Sequence, residues 1–166
     1  MKDSPVFRYS TFKTHAGAFT VAVDTSGAIV ATAFGDKGAL RKRLRTGTLV
    51  HDERGAAPAR RQVEAWFRGK VRTFSAKLSP GGTPFQQRVW SALRTIPFGE
   101  TRSYGHVARI VGSSARAVGR ASATNPICVI VPCHRVIGAD GTLTGFAFGE
   151  GTKRRLLEFE GSTTNG

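Results

Sequence analysis

The run Val131-Pro132-Cys133-His134-Arg135-Val136-Ile137-Gly138 sets one thiol beside an imidazole and a guanidinium at the end of an apolar stretch. A thiol attacks as its thiolate, and an adjacent His, an Arg charge and a fixed backbone approach are the usual means of lowering its pKa. A structural cysteine in a core strand is seldom followed directly by two such polar residues. The run is therefore read as a site for thiolate chemistry centred on Cys133.

The partner is suggested by charge. The 166 residues suit one medium domain, or a small domain joined to a second, and the 40% hydrophobic content is enough for a core. There are 25 Lys and Arg against 11 Asp and Glu, a formal charge of +14, which points to a polyanion such as nucleic acid or to an anionic membrane surface. Between Pro84 and Arg135 the basic residues are seven arginines, opposed by Glu100 alone. Arginine suits bidentate phosphate contact and stacking on bases. The run Arg41-Lys42-Arg43-Leu44-Arg45 reads instead as a solvated helix face that adds long-range attraction. Binding to a polyanion through such a surface should weaken steeply with salt.

Cys128 and Cys133 supply no disulfide framework, and no signal peptide or long apolar segment is present, so a reducing, cytosol-like compartment is expected. A strand over 127–131 would carry the two thiols to opposite faces, so no bridge is expected between them. His15, His51, His106 and His134 are scattered and match no Cys/His ligand pattern, and neither metal nor cofactor is expected.

The elements that must position Cys133 follow from periodicity and punctuation. Val6 to Phe12, Ala18 to Asp24 and Ala28 to Phe34 read as a strand meander turned at Gly17 and at Thr25-Ser26-Gly27. Helices are expected over Lys37 to Arg45 and Pro58 to Arg68, the second with Val63, Trp66 and Phe67 on one side. Pro80-Gly81-Gly82 marks a linker, dividing a β-rich supporting domain over 1–78 from a domain over 83–161, with 79–82 between them and a tail at 162–166. Thr83, Pro84 and Gln86 form a helix start with a capping box, and Phe85, Val89, Leu93 and Ile96 recur at helical spacing up to Pro97-Phe98-Gly99.

Ser103 caps a short helix through Ile110 that breaks at Gly112, and Ala115 to Thr124 forms another, stopped by Asn125-Pro126. Two short helices joined by a Gly-Ser turn read as a helix-turn-helix. The second holds Arg116-Ala117-Val118-Gly119-Arg120-Ala121-Ser122-Ala123, almost nothing larger than Val apart from two arginines. Such a surface allows close approach either to a neighbouring helix or to DNA, and the arginines favour DNA. A soft thiolate beside a DNA-docking helix suggests removal of an alkyl lesion, since phosphodiester hydrolysis normally uses carboxylates and metal ions.

Pro132-Cys133-His134-Arg135-Val136-Ile137-Gly138, with Arg116-Ala117-Val118-Gly119, Asn125-Pro126, Gly145-Phe146 and Leu156-Leu157-Glu158-Phe159-Glu160-Gly161, resembles the O6-alkylguanine-DNA alkyltransferases over about Thr83 to Gly161. The resemblance implies an α/β (α+β) chain with a β-rich first domain and a mainly helical second domain carrying a winged helix-turn-helix. It implies that Cys133 takes the alkyl group from O6-alkylguanine, and also from O4-alkylthymine, once per molecule. His134 would take the thiol proton through a water, Glu160 would orient that imidazole, and Asn125 would brace the active-site turn. The damaged base must leave the stack to reach a buried thiol. By the same resemblance Ser103, Tyr104, Arg116, Ala117, Gly119 and Arg120 contact DNA, with Arg116 filling the gap in the stack and Tyr104 pressing on the adjacent phosphate. Tyr104, Val131, Pro132, Phe146, Ala147 and Phe148 line the pocket. The implied partner is duplex DNA bearing O6-alkylguanine, met by a monomer, cooperative or not, in the cytoplasm (at the nucleoid in a prokaryote, in the nucleus of a eukaryote), with no membrane involved.

The pocket loop Gly145-Phe146-Ala147-Phe148-Gly149-Glu150 departs from the family pattern, which usually has Tyr at the position of Phe146, Gly at Phe148 and an apolar residue at Glu150. Phe148 adds bulk, so slower transfer of groups larger than methyl is expected. Two other classes fit the same residues: a module or sensor that recognises alkylated bases without repairing them, and a cysteine hydrolase that turns over without DNA.

Overall fold

The computed structural model describes residues 4–162, so all of the expected tail except Ser162 lies outside the described residues. The chain forms two compact units that divide after Gly81.

The first unit is a four-stranded sheet with two helices. Strands β1 (Val6–Thr14), β2 (Gly17–Val23) and β3 (Ile29–Phe34) form the antiparallel meander. Its first turn is tight because Gly17 adopts φ 107° while pairing with Thr14. A fourth strand, β4 (Thr48–His51), was not anticipated: it lies parallel to β1, giving the order β3-β2-β1-β4. Only Leu49 of its four residues is buried, so alternation was too short to read.

Helix α1 stops at Arg41 (Lys37–Arg41) rather than running to Arg45. The cause is Arg41 itself, whose guanidinium donates to the carbonyls of Leu44, Thr46 and Gly47 and folds the chain into a turn. Part of the basic run thus serves as an internal tie and not as a solvated helix face. Helix α2 (Glu53–Phe67) starts five residues before Pro58, because Asp52 caps it by accepting from Gly55 N–H. Pro58 then sits inside the helix, where it costs a backbone hydrogen bond. Burial compensates: Trp66 and Phe19 are fully enclosed, and Phe67 packs edge-on against Phe19 at 5.2 Å. Each such side chain contributes about 1.5–3 kcal/mol on burial.

The second unit is mainly helical. Helix α3 (Pro84–Leu93) has the expected capping box, and its Trp90 Nε1 donates to the Ala121 carbonyl at 2.8 Å. The short strand β5 (Arg102–Ser103) leads into α4 (Tyr104–Val111), capped by Ser103 and closed by Gly112 in the left-handed region at φ 70°. Ser114 caps α5 (Ala115–Ala123), completing the helix-turn-helix. Strand β6 (Val136–Ile137) pairs in parallel with β5, and α6 (Glu150–Phe159) ends the described fold. The chain is thus mixed α/β, a small sheet with helices followed by a helical DNA-binding type of unit. No helix among the described residues is long and apolar enough to cross a membrane.

One expected element is absent. Residues 127–131 form no strand: Val131 N–H donates to Ile127 O at 2.9 Å, Cys128 bridges Val131, and Val129 takes φ 73°. An apolar run between turn signals reads as a buried strand, but here the Asn125 side chain overrides it. Its carbonyl accepts from Ile127 N–H at 2.9 Å and its amide donates to Val131 O at 2.8 Å, closing a reverse turn. The argument that placed Cys128 and Cys133 on opposite strand faces therefore falls, although both are buried, reduced thiols.

Candidate active site

The turn braced by Asn125 delivers Cys133 into a single 3-10 turn over Cys133–Arg135, where it is buried, 7% exposed. His134 and Arg135 point inward and meet Glu160 from the end of α6. The imidazole Nε2 lies 2.9 Å from Glu160 Oε2, and Arg135 donates through Nε at 3.0 and 3.1 Å and through Nη2 at 2.7 Å to the same carboxylate. Arg135 Nη1 also donates to Ile96 O at 2.8 Å, tying the cluster to the end of α3.

Burial sets the protonation states. Enclosure opposes the Glu160 charge, but the hydrogen bonds and charges of His134 and Arg135 outweigh it and bring its pKa down to about 2. For His134 burial prevails: it lowers the pKa, with Glu160 opposing and the charges of Arg135 and Lys153 assisting. The imidazole is thus neutral near pH 7, as a base must be. Since Nε2 is committed to the carboxylate, Nδ1 is the nitrogen that can accept a proton.

Two further groups act on the thiol. Tyr104, half-buried at the start of α4, donates its hydroxyl to Thr144 O at 3.0 Å, and burial together with the Cys133 charge pushes its pKa up to about 12. Its phenol remains a donor at any working pH. Lys153 is fully enclosed, with Nζ donating to Val136 O and Thr144 O and lying 5.6 Å from the Tyr104 ring centroid. Burial brings its pKa down to about 8, opposed by the charge of Cys133, so the ammonium and a Cys133 thiolate favour one another.

The sequence reading missed Lys153 and gave Arg135 no partner. A signal existed: Lys153, Leu156, Leu157 and Glu160 recur at i, i+3, i+4, i+7 and all four are buried. A lysine and a glutamate bounding an apolar stripe imply partners in the interior.

Among the expected pocket residues, Val131 and Pro132 are buried beside Cys133, Phe146 is buried with Phe148 packed at 5.7 Å, and Ala147 is exposed. Gly145 is constrained twice, by φ 90° and because a Cβ there would lie 2.8 Å from the Tyr104 hydroxyl. Gly145→Ala is expected to cost about 1–3 kcal/mol through backbone strain and to displace Tyr104. Urea denaturation beside a single-turnover assay checks this, and an unchanged midpoint would show that the loop relaxes freely.

On the helix-turn-helix, Arg116 and Arg120 are exposed, Ala117 and Gly119 half-buried, and Ser103 is occupied as the cap of α4. A Cβ on Gly119 would meet nothing within 4 Å. No internal neighbour therefore requires glycine there, and the small-residue surface faces outward between the two arginines. Internal packing uses Val118, Ala121 and Ser122 instead.

The family model for 6-O-methylguanine DNA methyltransferase, DNA binding domain, matches residues 84–162. A methylated-DNA–protein-cysteine methyltransferase of Methanosarcina acetivorans is 53% identical over 115 residues, covering 68% of this chain and 74% of the relative. One of Mycobacterium bovis is 57% identical over 103 residues, covering 61% and 62%. The crystal structure of Mycobacterium tuberculosis OGT in complex with DNA superposes with a TM-score of 0.81 at 42% identity, covering 92% of each chain. The O6-methylguanine-DNA methyltransferase of Pyrococcus kodakaraensis superposes with a TM-score of 0.69 at 27% identity, covering 94% and 99%.

Proposed function

The chain belongs to the methylated-DNA–protein-cysteine methyltransferases, and on that premise we propose that Cys133 is the acceptor in its single-use chemistry, taking the alkyl group from O6-alkylguanine in duplex DNA. The protein repairs DNA by direct transfer of the lesion to itself. The observation that supports the assignment of the nucleophile is the buried cluster of His134, Glu160 and Arg135, its carboxylate fixed from two sides, next in sequence to the buried Cys133.

His134, held neutral, takes the thiol proton through a water at Nδ1, while Glu160 stabilises the imidazolium that results. The Cys133 thiolate, favoured by the Lys153 ammonium, attacks the alkyl carbon in line with the C–O6 bond. The S–C bond forms, the C–O6 bond breaks, and its electron pair enters the purine, which takes up one proton and becomes guanine. The Tyr104 phenol is a proton-bearing donor beside the site. The product is a stable thioether, so each molecule acts once.

The base reaches Cys133 by leaving the stack, and the outward small-residue face of α5 suits close approach to a groove, with Arg116 filling the vacated space. Contacts of that kind tolerate any sequence, as a search of all DNA requires. Phe146 and Phe148 pack ring against ring and add bulk to the loop expected to line the pocket, which supports faster transfer of methyl than of larger groups from O6-alkylguanine or O4-alkylthymine. The cytoplasm is the compartment that suits two buried, reduced thiols.

The test is intact-protein mass spectrometry after incubation with a duplex carrying one O6-methylguanine. The expected result is a stoichiometric gain of one methylene mass that maps to Cys133 and is absent with undamaged duplex. Lesion binding with no change of mass would replace repair by recognition.

A further inference from the structure

Glu150 is the one acidic residue of the loop that the catalytic chain leaves unused. The loop begins at Thr144, whose carbonyl receives both the Tyr104 hydroxyl and Lys153 Nζ, and it is closed by Gly149 N–H donating to Phe146 O at 3.1 Å. Glu150 follows immediately as the first residue of α6, exposed, and one helical turn before the enclosed Lys153. Residues three apart on a helix share a face. Glu150 enters no ion pair among the described residues, whereas the buried Arg135 is neutralised by Glu160. The site therefore has a positive charge enclosed on Lys153 and, one helical turn before it, an exposed negative charge on Glu150 that acts on the ammonium without forming an ion pair with it.

We propose that Glu150 is a specificity-determining residue that selects by charge, disfavouring O6-alkyl adducts that carry a carboxylate and leaving neutral adducts unaffected. This rests on the alkyl-transfer reading of the same site. A methyl group has no charge for Glu150 to act on. A carboxymethyl adduct brings a carboxylate into the field of both groups, and of the two Glu150 is the exposed one and Lys153 the enclosed one. Once inside, the chemistry is unchanged: the S–C bond forms at Cys133, the C–O6 bond breaks, and guanine takes up one proton. The selection is thus imposed on approach and binding, and it is long-range enough to be screened by salt.

Single-turnover rates on duplexes bearing O6-methylguanine or O6-carboxymethylguanine, at sub-saturating DNA, test this with Glu150→Gln and Glu150→Lys. The expected result is a methyl rate within about twofold of the unsubstituted protein and a carboxymethyl rate raised about three- to tenfold in Glu150→Gln and further in Glu150→Lys. The difference should shrink as salt rises from about 50 to about 200 mM. An unchanged ratio of the two rates, or equal changes in both, would overturn the inference, the second by showing that Glu150 supports the loop and not selection. Failure of the unsubstituted protein to accept methyl would overturn the alkyl-transfer reading itself, and is distinguished by the mass assay.

Discussion

Cys133→Ala is expected to transfer no alkyl group and to bind a lesion-bearing duplex within about threefold of the unsubstituted protein, as the loss of a buried sulfur costs little packing. The whole chemical step depends on one soft atom. The His134 imidazole is committed at Nε2 to Glu160, Lys153 is held by two carbonyls, and Tyr104 keeps its proton up to about pH 12, so none of them is placed to substitute as nucleophile. The one other thiol is Cys128, 1% exposed in the turn that precedes the site. Because residues 127–131 reverse direction, strand geometry gives no reason to place Cys128 far from the reacting centre. The variant therefore asks a sharper question than presence or absence. Mass spectrometry of Cys133→Ala after incubation with O6-methylguanine duplex should show no added mass, with fluorescence anisotropy reporting binding in parallel. A methyl group mapped to Cys128 would move the nucleophile five residues upstream.

What could be read in advance was what is decided locally. Thr83 and Ser103 cap helices in the structure as their sequence contexts imply, because a cap is a hydrogen bond within three residues. The Cys-His-Arg run was equally plain, since adjacency is itself the signal. What escaped depends on side chains bonding backbone some distance away. Asn125 converts an apolar run into a turn by reaching Val131, Arg41 ends a helix by gathering three carbonyls, and Asp52 starts α2 ahead of a proline that looked like its first residue. Strand β4 escaped because four residues carry too little alternation. Lys153 escaped for another reason: a lysine on an amphipathic helix ordinarily lies on the solvated face, and only its phase with Leu156, Leu157 and Glu160 shows otherwise.

The same phase makes Glu160 a residue whose loss should damage stability and rate together. Glu160→Gln keeps the volume and removes the charge. Arg135, 6% exposed, is then left enclosed without a counter-charge, and breaking a buried pair from one side costs about 3–5 kcal/mol. The amide cannot serve both neighbours. If its oxygen faces Arg135, its NH2 faces His134 and asks Nε2 to accept, which moves the imidazole proton to Nδ1 and removes the base. If the oxygen faces His134, two donors confront each other at Arg135. A fall of at least about 100-fold in single-turnover rate is expected in the molecules that remain folded, in line with the usual worth of a positioned base. Stability should also lose its acid limb. Glu160 titrates near its ordinary value of 4.5 when unfolded and at about 2 when folded, so its stabilisation is complete above pH 4.5 and is lost as pH falls toward 2. Urea midpoints measured between those limits should therefore depend less on pH in Glu160→Gln than in the unsubstituted protein. Equal slopes with an equal rate would mean that the carboxylate neither holds Arg135 nor orients His134, and that the buried chain is not the catalytic one.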